Sequence, residues 1–458
     1  MRIAFLTLFL GLASGRMPVE LTILGAVAGT SGIPGTAGTP ASPVITSIDL
    51  RLDGKAIGGL TGPPFKGEID LGRGLLPHHL LARGVDVTGV EVARAEQWIN
   101  LPQAPATVDV EPESGADGRI AALRLSFRSV THETPRAVTA TLDGAALPVR
   151  QGRVTLPPYK ADQPHLLSIE ARFPKDLSAR RDLAFGGGLA GEVATELTAV
   201  LVRAPGPLPA PPALAGWFTD RDQALAATAV EEAGPAEIFV VRDPAAPFVL
   251  RKIGERSAHT DNFFRAVSPL DFELPIPKGT QLRFVETSAS AYSGEGTTTL
   301  LFGVSKGFDG GDGGLYARLS RVLPQKETGP PHLAEAVAIA GLDALDANHR
   351  RAVLLVLSAP VDDRSRYAAA EVRRYLAAIR VPLYVWSLRP PPYPAEVAAW
   401  GEVEDTSNLS RLRKAHERLT RDLASQHIVW LDGRHLPQSI ALAPAALPGV
   451  ELAEGPIR

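Results

Sequence analysis

Apolar and polar positions alternate with period two along the first half of the chain, whereas the second half sets short apolar runs between helically spaced ones. Ile48, Leu50 and Leu52 lead into Asp53-Gly54, a dipeptide suited to the tight turn of a β-hairpin. Pro63-Pro64-Phe65, a strand at 67–71 and Pro77-His78-His79-Leu80 follow. The three blocks return in the same order as Leu142-Asp143-Gly144, Pro157-Pro158-Tyr159 and Pro164-His165-Leu166-Leu167. This repeat predicts two homologous β-sandwich modules, over residues 44–105 and 106–203. A histidine recurring after proline at a strand start is either a ligand or a turn-side residue that follows the fold. The repetition favours the turn-side role.

Beyond residue 216 the texture becomes strand–helix alternation. Residues 237–242, 281–286 and 297–304 read as strands, and 351–358 is a continuous apolar run of the kind buried on both faces of a parallel sheet. Val372, Tyr375, Leu376 and Ile379 share one helical face, followed by a buried strand at 381–388. Leu409, Leu412, Leu419 and Leu423 mark a further helix, with Thr406 or Ser407 as its cap, running into a last strand at 427–431. The pattern predicts an α/β doubly wound domain over 216–440. A proline-rich hinge at 204–215 would precede it and a tail at 441–458 would close the chain.

The N-terminus adds a processing expectation. Arg2, an apolar run from Ile3 to Ala13 and the small residues Ser14-Gly15 read as a signal peptide over 1–15; a hydrophobic first strand is the alternative. Residues 16–43, ending in a stretch rich in Gly, Pro, Ala and Thr, read as a flexible linker, with a short strand around Leu21–Gly25 as the alternative. No later segment is apolar enough for a membrane helix. Gly (43) and Pro (40) are abundant in the 458 residues, as β-modules with many turns require. A formal charge of −3 gives no basis for nucleic-acid binding. The absence of cysteine excludes disulfides, thiol nucleophiles and thiolate metal sites.

The segments HLAEAVAIAGLDAL, RRAVLLVLS and EVRRYLAAIRVPLYVWSL are similar to the second half of a von Willebrand factor A domain. The ending LRKAHERLTRDLASQHIVWLDG resembles the close of a bacterial von Willebrand factor A-related family found mainly in acidobacterial exported proteins. The preceding modules resemble the immunoglobulin-like modules of bacterial surface proteins. The resemblance implies a multi-domain chain of two immunoglobulin-like β-sandwiches followed by an A-like domain.

That resemblance also implies where chemistry should be sought. The family holds Mg²⁺ with Asp-x-Ser-x-Ser after the first strand, a Thr before a middle helix and an Asp after the fourth strand. Asp243 matches the first position, but Ala245 and Pro247 replace the two serines. Pro331 stands where the threonine is expected and Ala359 where the second aspartate is expected. Methyl and pyrrolidine groups cannot ligate a hard cation, so no metal and no cofactor are expected. Asp362 and Asp363 are residual candidates beside Asp243, and Asp309 and Asp312 lie on a glycine-rich loop that reads as a solvated turn. Four tryptophans, Trp217, Trp386, Trp400 and Trp430, read as packing residues, with a sugar platform as the alternative.

No nucleophile elbow, zinc motif, phosphate loop or dinucleotide fingerprint occurs. The sequence therefore reads as a non-enzymatic, exported interaction or assembly protein, secreted, periplasmic or at the cell surface. It would bind a protein partner at the envelope or outside through a metal-independent A-like domain. A second reading is a metal-dependent adhesin using Asp243 with Asp362 or Asp363. A third is an exported hydrolase whose site assembles only in space.

Overall fold

A computed structural model describes residues 2–5, 12–24, 45–102, 106–114, 119–129, 134–143, 145–160, 165–174, 178–186, 189–190, 197–231, 236–260, 272–294, 297–309, 314–321, 330–346 and 349–456. Most of the expected linker (25–43) lies outside them, as do Gly144, Asp312 and Thr328-Gly329. The chain divides into two compact units, one of residues 103–196 and one of 1–102 with 197–458.

The unit 103–196 is a β-sandwich. One sheet runs Ala145–Leu147, Ala137–Leu142, His165–Arg172, Ser178–Gly186, Leu189–Ala190; the other runs Val149–Arg150, Arg153–Thr155, Ile120–Ser129, Ala106–Ser114. Val110, Leu123, Leu142, Leu167 and Ile169 from both sheets meet in one core, as period-two alternation requires.

The first module of the other unit is built the same way. Lys55–Thr61, Ser47–Leu52, His78–Val85 and Glu91–Ile99 face a sheet of Arg2–Phe5, Arg16–Leu24 and Phe65–Asp70. Residues 16–24 are therefore a strand and not linker, because Met17, Val19 and Leu21 alternate inward to fill the core with Ile48, Leu50, Phe65 and Leu80. Arg2–Phe5 pairs with Leu21–Leu24. The intervening residues 12–15 are bonded too: Ala13 N donates to Asn100 Oδ1 at 2.7 Å, Asn100 Nδ2 donates to Ala13 O at 2.7 Å, and Gly15 N donates to Gly72 O at 2.8 Å. A leader cleaved after residue 15 and this bonded segment are competing uses of the same residues.

The repeated histidines hold turns. Asp53 and Gly54 both have positive φ (52° and 81°), as a two-residue hairpin turn demands. His78 Nδ1 bonds to Asp53 Oδ2 at 2.8 Å, and in the second module His165 Nδ1 bonds to Asp143 Oδ2 at 2.6 Å. The next residue, His79, stacks on Trp98 with ring centroids 4.3 Å apart and bonds Glu96 at 3.1 Å. That bond, opposed by partial burial and helped by Arg94, lowers Glu96 from 4.5 to about 2. Asp53 is also lowered: burial works to raise it, but the bonds from His78 and the His79 N–H outweigh it. Folded-state pKa values below the unfolded ones give stability that is complete above the ordinary carboxylate range and is lost as pH falls. Stability should thus drop between pH 4.5 and about 2, and Glu96→Gln should make that drop shallower. Glu96 is 36% exposed, so solvent screening limits its share to below about 1 kcal/mol. Urea unfolding across a pH series checks this, and an unaltered acid slope in the variant would contradict it.

The α/β body carries a sheet in the order Thr297–Val304, Thr280–Gly294, Ala236–Arg242, Arg350–Leu357, Leu383–Ser387, Val403–Asp405, with Phe308–Asp309 beside Thr280–Gly294. The strands from Thr280–Gly294 to Val403–Asp405 are mutually parallel, whereas Thr297–Val304 and Phe308–Asp309 run antiparallel to Thr280–Gly294. Val353, Leu355 and Leu357 pack against helices Leu333–Asp346 and Ala369–Ala378. Their alternates Ala352, Leu354 and Val356 pack against Ala246–Thr260, Gly314–Leu319 and Leu409–Ser425. The last helix is capped by Asn408, which accepts from Arg411 N at 3.0 Å, and not by Thr406 or Ser407. Thr406 is buried and donates instead to Ser387 O at 2.9 Å.

Three expected boundaries move. The strand at the chain's end, Gln426–Asp432, leaves the parallel sheet and pairs antiparallel with Leu197–Arg203 and Ala227–Glu231. Leu197–Arg203 thereby belongs to this small sheet and not to the second sandwich. The proline-rich stretch 204–215 is packed: Ala204, Leu208 and Leu214 are buried with Trp217 and Phe218, and Pro211–Leu214 is a 3-10 helix. Nor is 441–458 a tail, since Ile440–Leu442 pairs with Phe218–Asp220 and Glu451–Leu452 pairs with Arg203 and Val202. A buried pair, Arg203 with Asp422, ties this subdomain to the helix Leu409–Ser425.

The first sandwich packs on the α/β body. Tyr367 Oη donates to Leu12 O at 2.8 Å, Tyr375 Oη to Asn100 O at 3.0 Å, and Arg434 lies 4.6 Å over the Trp98 ring. Leu12, Leu75, Trp98 and Leu101 join the same apolar cluster as Tyr367 and Tyr375. This module buttresses the α/β body. Among the described residues no helix is long and apolar enough to cross a membrane.

Candidate functional site

In parallel α/β sheets, ligands are met at the C-terminal ends of the strands, and Asp243 stands at that end of Ala236–Arg242. Its carboxylate is buried at 2% exposure. Oδ1 accepts from Ala245 N at 2.8 Å, Ala246 N at 2.9 Å and Ser358 Oγ at 2.8 Å, while Oδ2 accepts from Ser358 N. Oδ1 thus carries three donors of the chain itself and Oδ2 one, so the carboxylate is engaged within the fold and not turned to solvent. The arrangement caps the helix Ala246–Thr260 and fastens the loop after Arg350–Leu357 to the neighbouring strand. Pro247 falls in that helix's first turn, where no N–H is required.

Asp362 and Asp363 part company. Asp362 is exposed and pairs with Arg364 at 2.8 Å. Asp363 reaches the start of another helix, accepting from Leu333 N at 2.7 Å and Ala334 N at 3.1 Å, with Ser365 Oγ donating to it at 2.7 Å. Pro331 contributes only its carbonyl, to Arg364 N at 2.9 Å. Ala359 follows Ser358 and offers no side-chain oxygen. No cluster of three potential metal-binding side chains joins Asp243 to Asp362 or Asp363 among the described residues. Asp309 bonds Gln281 Nε2 at 2.5 Å.

Around this centre, Arg242 donates to Leu319 O at 2.5 Å and stacks 5.1 Å over Phe284, and burial lowers its guanidinium to about 10. Glu335, 1% exposed, is held by His332 at 3.0 Å and Arg366 at 2.7 Å. Ser358 is buried, and its hydroxyl bonds Asp243 directly. Outward, the rim presents Phe248 at 53% exposure, Pro360, Asp362 and the run Arg389 to Pro392. Trp217, Trp386 and Trp400 are buried in cores and form no platform. Sequence reasoning located Asp243 but missed Ser358 as its partner and Asp363 as a cap, because both depend on contacts across more than twenty residues.

No family model matches the sequence, and no curated protein matches it. Among solved structures the chain is similar to the fibronectin(III)-like modules of Clostridium thermocellum CbhA, at 13% identity over 42% of this chain and 97% of that one, TM-score 0.15. It is similar also to the central fibronectin-III array of RIM-binding protein, at 13% identity over 45% and 80%, TM-score 0.21. A third is proximal thread matrix protein 1 from the mussel byssus, at 15% identity over 43% and 48%, TM-score 0.25. Scores this low carry no inference, and the sandwiches stand on their own sheets and cores.

Proposed function

We propose that this chain is an interaction or assembly protein that grips a protein partner with the C-terminal edge of its parallel sheet, independently of metal. In this reading the α/β body is von Willebrand factor A-like, the partner lies at the envelope or outside the cell, and the chain's own N–H and O–H groups stand where a cation would. The observation that carries it is the enclosed carboxylate of Asp243, 2% exposed, crowded at Oδ1 by three donors of its own chain and tied at Oδ2 to the Ser358 N–H. Recognition then falls to shape and side chains on the rim, with exposed Phe248 as its apolar anchor. The buttressing sandwich supports this role, since a rigid platform loses less entropy on binding.

Affinity capture with the full chain from its native envelope tests the reading. Bound partner should be unaffected by chelator and should fall about tenfold with Phe248→Glu, the effect of losing one buried anchor. Calorimetry with Mg²⁺, Mn²⁺ and Ca²⁺ should record no saturable uptake. Capture that needs Mg²⁺, or cation uptake abolished by Asp243→Ala, sinks the proposal in favour of a metal-dependent adhesin.

A further inference from the structure

The helix Gly314–Leu319 is seated on Ala246–Thr260 by Tyr316, whose hydroxyl donates to Leu250 O at 3.0 Å. A helix end leaves its last carbonyls without partners inside the helix, and here arginines serve them. Arg242 donates to Leu319 O at 2.5 Å and to Arg318 O at 3.4 Å, and Arg251 Nε donates to Ser320 O at 3.0 Å. Arg318 itself lies 5.1 Å over the Phe308 ring, and exposed Arg321 follows. Four arginines thus gather about one short helix end, beside the C-terminal end of Ala236–Arg242.

Carbonyls satisfy these donors but supply no counter-charge. Among the described residues none of the four arginines forms an ion pair. Burial, with no carboxylate acting on it, lowers Arg242 to about 10, so it remains a cation at neutral pH. Glu255, one turn beyond Arg251 on the same helix, is a single carboxylate against them. Such a local excess of cations stands out in a chain of formal charge −3. Phe248, 53% exposed, precedes Arg251 by three residues on that helix, so the two share one face. An apolar anchor with a cationic flank is complementary to a segment that is both apolar and acidic.

We propose that this arginine cluster is the charged half of the partner-binding rim and takes an acidic, leucine- or phenylalanine-bearing segment of a protein partner beside Phe248. The inference rests on the reading of the rim as a docking surface. The full chain is titrated by fluorescence anisotropy against a labelled peptide alternating glutamate and leucine. Peptides of glutamate with serine and of lysine with leucine are the controls. Saturable binding of the first alone is expected, weakening with salt because exposed charges are screened beyond about 8 Å at physiological ionic strength. Arg251→Glu with Arg321→Glu should weaken it about tenfold, whereas Arg251→Lys with Arg321→Lys should preserve it. Arg321→Glu alone leaves the bonds to the helix end in place and should still cost about threefold, so the test survives a misfolded double variant. No saturable binding, indifference to charge reversal, or a glutamate–serine peptide or DNA duplex that binds as tightly overturns the proposal. The partner captured from the native envelope separates the two levels. Release by Phe248→Glu but not by charge reversal defeats the acidic segment alone, and capture that needs Mg²⁺ defeats the docking reading beneath it.

Discussion

Replacing Asn100 with leucine should destabilise the larger unit by about 3–5 kcal/mol, among the largest effects of any single substitution here. Asn100 is 3% exposed and sits at φ 57°, a left-handed conformation that Asn tolerates better than other side chains do. Its amide makes three bonds of 2.7 Å, two with the backbone of Ala13 and one to Leu76 O. Leucine strands those backbone groups in an apolar setting, at about 1–3 kcal/mol each where water does not reach them, and adds about 1 kcal/mol of backbone strain. Asn100→Gly separates the two contributions, since glycine removes the strain and keeps the lost bonds. The same residue tests the fate of the N-terminus. In a chain beginning at residue 16, Ala13 is gone and Asn100→Gly should cost markedly less than in the full chain. Urea unfolding of the four proteins closes the cycle. Equal costs in both backgrounds would mean that residues 12–15 are not held by Asn100.

What could be read beforehand follows from the range of the forces involved. Period-two alternation around Ile48 and Leu50 and the run at 351–358 are local signals, and the strands appear where they were expected. Pairing is not local. The strand ending the chain looked like one more parallel strand, yet its partner Leu197–Arg203 lies over two hundred residues earlier in sequence, in a stretch assigned to another module. Proline-rich and small-residue segments read as hinge and tail because composition reports low hydrophobicity, not the cover that Trp217 and Phe218 provide. The same applies at the N-terminus: an apolar run after Arg2 satisfies a leader's pattern and a sandwich's edge equally well. Within the site, Asp243 was visible as the acidic residue closing a buried strand. Its four donors were not, since two come from Ser358, delivered by a neighbouring strand.

Asp243→Ala should lower stability by about 2–4 kcal/mol, and by the same amount with chelator or with excess Mg²⁺. The carboxylate satisfies two N–H groups at the start of the helix Ala246–Thr260 and both the N–H and the hydroxyl of Ser358. Losing an N-cap costs about 1 kcal/mol, and each buried donor left without an acceptor adds about 1 kcal/mol or more. A carboxylate whose task was metal binding would behave in the opposite way, because its removal relieves like-charge repulsion in the apo protein and costs stability only when the ion is present. Ser358→Ala gives the internal control. It deletes one donor and leaves the carboxylate with three N–H partners, so its cost should stay near 1 kcal/mol. Asp243→Asn should fall between, since one oxygen persists as acceptor while the amide N–H₂ turns donors toward donors. Thermal and urea unfolding of the three variants in EDTA and in Mg²⁺ decide the matter. A Mg²⁺-dependent gap between wild type and Asp243→Ala would return the residue to metal chemistry, and an equal loss in both buffers fixes it as a structural clasp between the helix start and the neighbouring strand.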